Sequence, residues 1–241
     1  MAKLIYHPAD SRGKIDLGWV LSYPTFCFGN YYNPERISFG ALRVLNDDIL
    51  KGGEGFGDHP HDNMEIISIP LKGGLKHVDS LENVAVIADG DIQVMSAGTG
   101  VFHEEHNEDA DEAAQFLQIW VYPNQLNVEP RYDQLTLDKT KRDNKFQQIL
   151  SPYKDDDGVW IYQNAWFFLG NFDKGQRIRY SVKSKENGAY IFLVDGSIKI
   201  NGQVLNPRDG LGVWDTDEFM IEIQEKAEIL LMDVPVNVDY K

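Results

Sequence analysis

Gly55-Phe56-Gly57-Asp58-His59-Pro60-His61 sets two imidazoles two residues apart, and His103-Glu104-Glu105 sets an imidazole and a carboxylate at the same spacing. In an extended chain a period of two puts both members of each pair on one face. If the two stretches are strands lying side by side, three imidazoles and one carboxylate can converge on a single ion. The distribution of histidine agrees. Of the six, at 7, 59, 61, 77, 103 and 106, five fall between 59 and 106 and none follows. The chemistry is therefore expected in the first half of the chain.

Outward from those stretches, short strand signals dominate. Residues 37–45, 64–71, 75–78, 84–88, 92–96 and 116–122 are apolar or alternating runs, broken by Lys72-Gly73-Gly74, Asp89-Gly90-Asp91 and Pro123-Asn124. Turn residues of this kind punctuate β structure, and long helical periodicity is absent. The charged stretch 129–144 reads as a connector without a strand. The pattern restarts at 159–162, 166–170, 178–182, 189–195, 197–201, 211–214, 219–224 and 229–234. The second half reads as a faint copy of the first. Superposing the runs around Asp195-Gly196 on those around Gly73-Gly74 sets Lys183 and Lys185 near the places of His59 and His61. A protonated lysine is a poor ligand, so the copy is expected to lack a metal. The expected fold is all-β with few short helices. Residues 1–132 would form a metal-binding barrel and 133–241 a degenerate barrel without a metal site.

Composition narrows the function. A hydrophobic content of 42% with 12% aromatic residues supports a real core. The net charge of −15 argues against direct nucleic-acid binding, which needs clustered cations. Lys139-Thr140-Lys141-Arg142 reads as solvated loop. Cys27 is the single cysteine, so no intrachain disulfide can form. The opening Met-Ala-Lys-Leu-Ile-Tyr-His turns polar at once, and no run reaches the ~18 apolar residues of a membrane helix. A cytoplasmic location with no membrane partner is the expectation.

Gly53 followed by His59-x-His61 and Glu65 is similar to the first motif of the cupin superfamily, with Gly73 one residue later than usual. Gly100-x-x-His103 and Asn107 resemble the end of the second motif, though Gly98 stands where cupins usually carry proline. Gly-Phe-Gly-Asp-His-Pro-His (55–61), His-Val-Asp-Ser (77–80) and Ser-Ala-Gly-Thr-Gly-Val-Phe-His-Glu-Glu (96–105) resemble pirin signatures. So do Gly-Trp-Val-Leu-Ser (18–22), Phe-Cys-Phe-Gly-Asn-Tyr-Tyr (26–32), Leu-Arg-Val-Leu-Asn-Asp-Asp (42–48) and Gln-Ile-Trp-Val (118–121). The resemblance runs over nearly the whole chain. It is closest to bacterial pirin-like bicupins described as quercetin 2,3-dioxygenases. It implies two tandem jelly-roll barrels and a metal held by His59, His61, His103 and Glu105. Imidazole with one carboxylate suits one divalent transition ion per chain: Fe(II) is expected, and Mn, Co, Ni, Cu or Zn are also suited. Glu105 is preferred to Glu104 because period two keeps it on the His103 face.

Other candidates take duller roles. Glu65 reads as a hydrogen-bonding group and His77 as a structural or supporting histidine; His106 and His7 read as surface residues. His-Glu-Glu-His (103–106) is one residue too short for the zinc-protease pattern and lies in strand. Cys27 reads as a buried small hydrophobe. Phe26, Phe28, Tyr31, Tyr32, Trp120 and Tyr122 read as core by default, with a pocket for a flat ligand as the other place for a few of them. The resemblance implies a metal-dependent dioxygenase that opens a flavonol-type ring with O₂ and releases CO, with Glu105 as general base. The alternative it implies is non-enzymatic: an iron-binding, redox-responsive regulator whose acidic face meets a basic protein partner. A different cupin activity is a third reading, because one fold hosts many functions. A monomer is the expected state.

Overall fold

The computed structural model describes residues 2–238. The first half supplies β1 (Lys3–His7), β2 (Ile15–Asp16), β3 (Val20–Pro24), β4 (Leu42–Leu50), β5 (Gly55–His61), β6 (Glu65–Lys72), β7 (Gly74–Asp79), β8 (Val84–Ala88), β9 (Asp91–Ser96), β10 (Val101–Asn107), β11 (Ala114–Val121) and β12 (Arg131–Thr136). The second supplies β13 (Phe146–Ser151), β14 (Val159–Trp160), β15 (Trp166–Phe172), β16 (Arg177–Ser181), β17 (Asn187–Ile200), β18 (Gln203–Leu205), β19 (Gly210–Trp214) and β20 (Glu218–Pro235). Helix is limited to two 3-10 turns, Ala9–Ser11 and Lys139–Arg142, among the described residues. The all-β expectation holds.

A four-stranded sheet, β5-β10-β7-β8, and a seven-stranded sheet, β12-β9-β6-β11-β4-β3-β2, make the first barrel. A nine-stranded sheet runs β1-β19-β17-β20-β15-β13-β14, with β16 and β18 paired off it. β1 thus belongs to the sheet of the second half. The seven-stranded sheet is covered on both faces. Leu45, Ile67, Ile69, Leu117 and Ile119 face Phe167, Leu169, Phe192 and Met232 of the second half in one buried cluster. The opposite face closes the first barrel and is polar at its centre. Asn46, Gln118, Ser68 and Gln93 are register partners across β4, β11, β6 and β9. All four are buried. The second barrel differs. Its interior is filled by Phe168, Phe172, Ile191, Leu193, Ile221, Leu231 and similar side chains.

Three local expectations need correction. The stretch 129–144 contains β12, which pairs with β9. The strand read at 37–45 begins only at Leu42, because Gly40 takes a positive φ against the Pro235 carbonyl. It then continues through Asp47 and Asp48 to Leu50. The Asp195-Gly196 turn is a bulged bend inside the single strand β17, not a break between two strands.

Candidate metal centre

β5 and β10 lie antiparallel, with His103 opposite His59 and Val101 opposite His61. The side-by-side strands that the spacing required are therefore present. Along β10 the burial alternates: Val101, His103, Glu105 and Asn107 point inward, Phe102, Glu104 and His106 outward. The ligand atoms of His59, His61 and His103 all lie within 4.8 Å of one another. Ring centroids are 4.3 Å apart for His59 and His103, and 4.9 Å for each pair that includes His61.

The protonation of these rings suits a cation. Burial, helped by the neighbouring histidines, pushes His103 down to about 2. Burial pushes His61 down to about 4, again with help from His59. Both are neutral at pH 7, so an ion meets lone pairs rather than protons. His59 Nδ1 lies 2.8 Å from the Gly57 carbonyl oxygen, which can only accept, so Nδ1 carries a proton and Nε2 is the ring nitrogen left for an ion. His103 is 1% exposed and its Nε2 meets no protein partner. A buried orphan nitrogen beside two more imidazoles is what a metal site needs, since such an atom is otherwise penalised.

Glu105 is wholly buried by a different set of neighbours. Its Oε2 accepts from Gln118 Nε2 at 2.8 Å and its Oε1 from the Ser68 hydroxyl at 3.2 Å. Burial raises its carboxyl to about 7 against the pull of those two hydrogen bonds. It groups within 4.8 Å with His77 and His103, not directly with His59 and His61. Glu105 thus approaches the three-histidine cluster from the barrel interior. A dication there would favour its charged form.

The remaining candidates fall into place. Glu65 is in neither cluster; it accepts from Ser96 at 2.7 Å on the side facing the second half. His106 pairs with Glu104 at 3.0 Å on the outer face, as expected of a surface residue. His7 does not fit its surface reading: it is 4% exposed and its Nδ1 lies 2.8 Å from the Tyr190 hydroxyl. The second half joins no metal-ligand group among the described residues. Lys183 instead lays its ammonium 5.2 Å from the Phe168 ring. Trp120, one of the aromatics read as core by default, packs 5.0 Å from His61, and Phe56 lies 6.4 Å from His59. Ser68 was not singled out in the sequence, and Gln118 appeared there only within the Gln-Ile-Trp-Val stretch, without a role. Their signal was a polar residue inside an otherwise apolar strand.

Comparison with known proteins shows the family of the chain. The family described as Pirin matches residues 6–121, and the quercetinase C-terminal cupin domain matches 148–234. A quercetin 2,3-dioxygenase of Escherichia coli is 37% identical over 227 residues, 94% of this chain and 96% of that protein. The chain belongs to the pirin family. A pirin-like protein of Caulobacter vibrioides is 36% identical over 227 residues, 94% of this chain and 97% of its own length. The crystal structure of bacterial pirin YhhW in complex with nickel(II), from Escherichia coli, superposes with a TM-score of 0.92 at 35% identity. It covers 98% of this chain and 100% of its own. The two-barrel, bicupin architecture expected of a pirin is the one observed. No helix among the described residues is long and apolar enough to cross a membrane.

Proposed function

We propose that this pirin is a metal-dependent dioxygenase of flavonol-like substrates, with His59, His61, His103 and Glu105 holding one divalent transition ion. Fe(II) is the first choice. The observation that carries the reading is the trio of histidines with converging ligand atoms, one bearing an orphan Nε2. When bound, the ion supplies a Lewis-acidic, redox-capable centre with positions left for substrate and O₂. The protein does the rest. Trp120 beside His61 and Phe56 beside His59 offer flat apolar walls for an aromatic ring system. Glu105, kept charged beside a bound dication, would be the group that takes the proton of a flavonol 3-hydroxyl. Ser68 and Gln118 hold its two oxygens in place. The oxidative ring opening with loss of CO rests on the kinship with quercetin 2,3-dioxygenases.

A second reading, a regulator with a protein partner, is favoured by the outer face of the histidine-bearing sheet. Phe102 of β10 and Val84 and Val86 of β8 are exposed there. An aerobic flavonol assay on Fe(II)-loaded protein separates the two. Turnover with stoichiometric CO, lost in metal-stripped protein, supports the dioxygenase. A rate no higher than free Fe(II) gives would end that reading and leave the regulator.

A further inference from the structure

We propose that Asp79 and His77 form a relay that fixes the ring tautomer of His103 and so keeps its Nε2 bare for the metal. The inference rests on reading His103 as a ligand. It makes His77 and Asp79 positioning residues, since neither touches substrate.

The argument follows the protons. β7 pairs with β10 so that Asp79 stands opposite His103 and His77 opposite Glu105. The period of two places His77 and Asp79 on the inner face, and both side chains are 0% exposed. Asp79 is anchored by its own turn. Its Oδ1 accepts the backbone N–H groups of Leu81 at 2.9 Å and Asn83 at 3.0 Å. Asn83 Nδ2 donates to both oxygens, at 3.1 and 2.9 Å. A carboxylate so placed can only accept, so His77 Nε2, 3.0 Å from Oδ2, carries a proton. A neutral imidazole has one N–H, which leaves His77 Nδ1 bare. That atom lies 3.5 Å from His103 Nδ1. The single proton between them must therefore come from His103. With its proton on Nδ1, His103 presents a lone pair at Nε2, the atom that finds no partner in the protein. The Tyr132 ring packs 4.8 Å from the His77 ring, tilted by 32°. Metal-binding histidines commonly owe their orientation to the acceptor at the other ring nitrogen. Here that acceptor is a second histidine, itself oriented by a carboxylate.

The same atoms allow a rival. His77, His103 and Glu105 group within 4.8 Å and would make a second metal site if His103 gave up its one ring proton and bridged two ions as an imidazolate. Stoichiometry tells the two apart.

The test uses full-length, metal-stripped protein titrated with Co(II), following its visible absorption, with chelator competition to obtain the affinity. The parent should bind one Co(II) per chain. Asp79→Asn keeps its oxygen toward the Leu81 and Asn83 amides and turns its NH₂ to His77. That reverses the relay and puts the His103 proton on Nε2, weakening Co(II) by about 10–100-fold. Adding His77→Asn should restore most of the affinity, because the asparagine oxygen sits where Nδ1 sat and again accepts from His103. A purely structural role predicts a double variant at least as weak as the single. Should Asp79→Asn fail to fold, His77→Leu and His77→Asn form the same contrast, weak against near-parental. Unchanged affinity in Asp79→Asn, a double variant no tighter than the single, or two Co(II) per chain would overturn the relay. His59→Ala checks the underlying site separately: parental Co(II) affinity and spectrum in that variant would refute the metal-centre reading itself.

Discussion

At the scale of single residues the site divides into groups that hold a cation and groups that manage protons. His59→Ala removes an imidazole whose Nδ1 is already committed to Gly57, so metal and flavonol turnover should disappear together. Glu105→Gln retains size and hydrogen bonding to Ser68 and Gln118 but cannot take a proton. It should keep part of the metal, by elemental analysis, while turnover drops about 10²–10⁴-fold. Asp48 offers a test of a buried charge. It is buried with an unpartnered Oδ1, and burial, helped by the neighbouring Asp47 and Glu105 carboxylates, raises its carboxyl from 3.8 to about 7. A carboxyl with a raised folded-state pKa penalises folding progressively as pH climbs from the unfolded value to the folded one, and fully above it. Asp48→Asn should therefore stabilise the metal-free protein at pH 8, by about 2 kcal/mol. The gain should shrink at pH 5.5 in urea denaturation; an equal gain at both pH values would remove burial of the charge as its cause.

Among the elements, the turn joining β9 to β10 sets the relation between the two histidine pairs. Gly98 has φ 50°, and a Cβ there would overlap the Val128 carbonyl oxygen. Its own carbonyl accepts the Asn63 N–H at 2.9 Å, just after β5. Gly98→Ala should destabilise the protein by about 2–3 kcal/mol and loosen metal binding, read as a lower urea midpoint and a weaker Co(II) titration. This glycine, standing where cupins usually carry proline, was noticed in the sequence without its reason. The histidine pairs were legible because spacing two on a strand leaves little freedom. The second-half strands were legible because they bury hydrocarbon on the inward face, as Ile191 and Leu193 do in β17. β12 was missed for the opposite cause: its inward residues, Tyr132 and Gln134, serve a polar interior, and Tyr132 Oη donates to Gln134 at 2.7 Å. The same cause hid the later part of β4, where Asn46 and Asp48 turn inward. Binary patterning assumes an apolar inside, and a barrel built around a metal departs from that assumption at the positions that matter for function. Asp79 and Gln118 were invisible as partners because their roles depend on which strands neighbour which.

For the molecule as a whole, the question is whether the metal half and the apolar half behave as one body. The seam between them contains Leu45, Ile67, Leu117, Ile119, Phe167, Leu169, Phe192, Leu230 and Met232, all nearly inaccessible. Burying each such side chain is worth about 1.5–3 kcal/mol, so parting the halves would expend more than the ~5–15 kcal/mol that a domain has to lose. Polar locks add direction. Arg131 donates to the Trp160 carbonyl at 2.7 Å and lies 4.0 Å over its ring, and Gln163 donates to the Tyr122 carbonyl at 2.7 Å. β1 crosses over to pair with β19, which ties the chain start to the second sheet. Separation of the halves and unfolding should therefore be one event. Metal binding at His59, His61 and His103 would then stabilise residues far outside its own barrel. At a free metal concentration of a hundred times Kd the linkage is about 2.7 kcal/mol, applied to the whole transition. Scanning calorimetry should show a single endotherm that moves intact to higher temperature with added Ni(II). Two endotherms, of which only one responds to metal, would mean that the shared core does not couple the barrels.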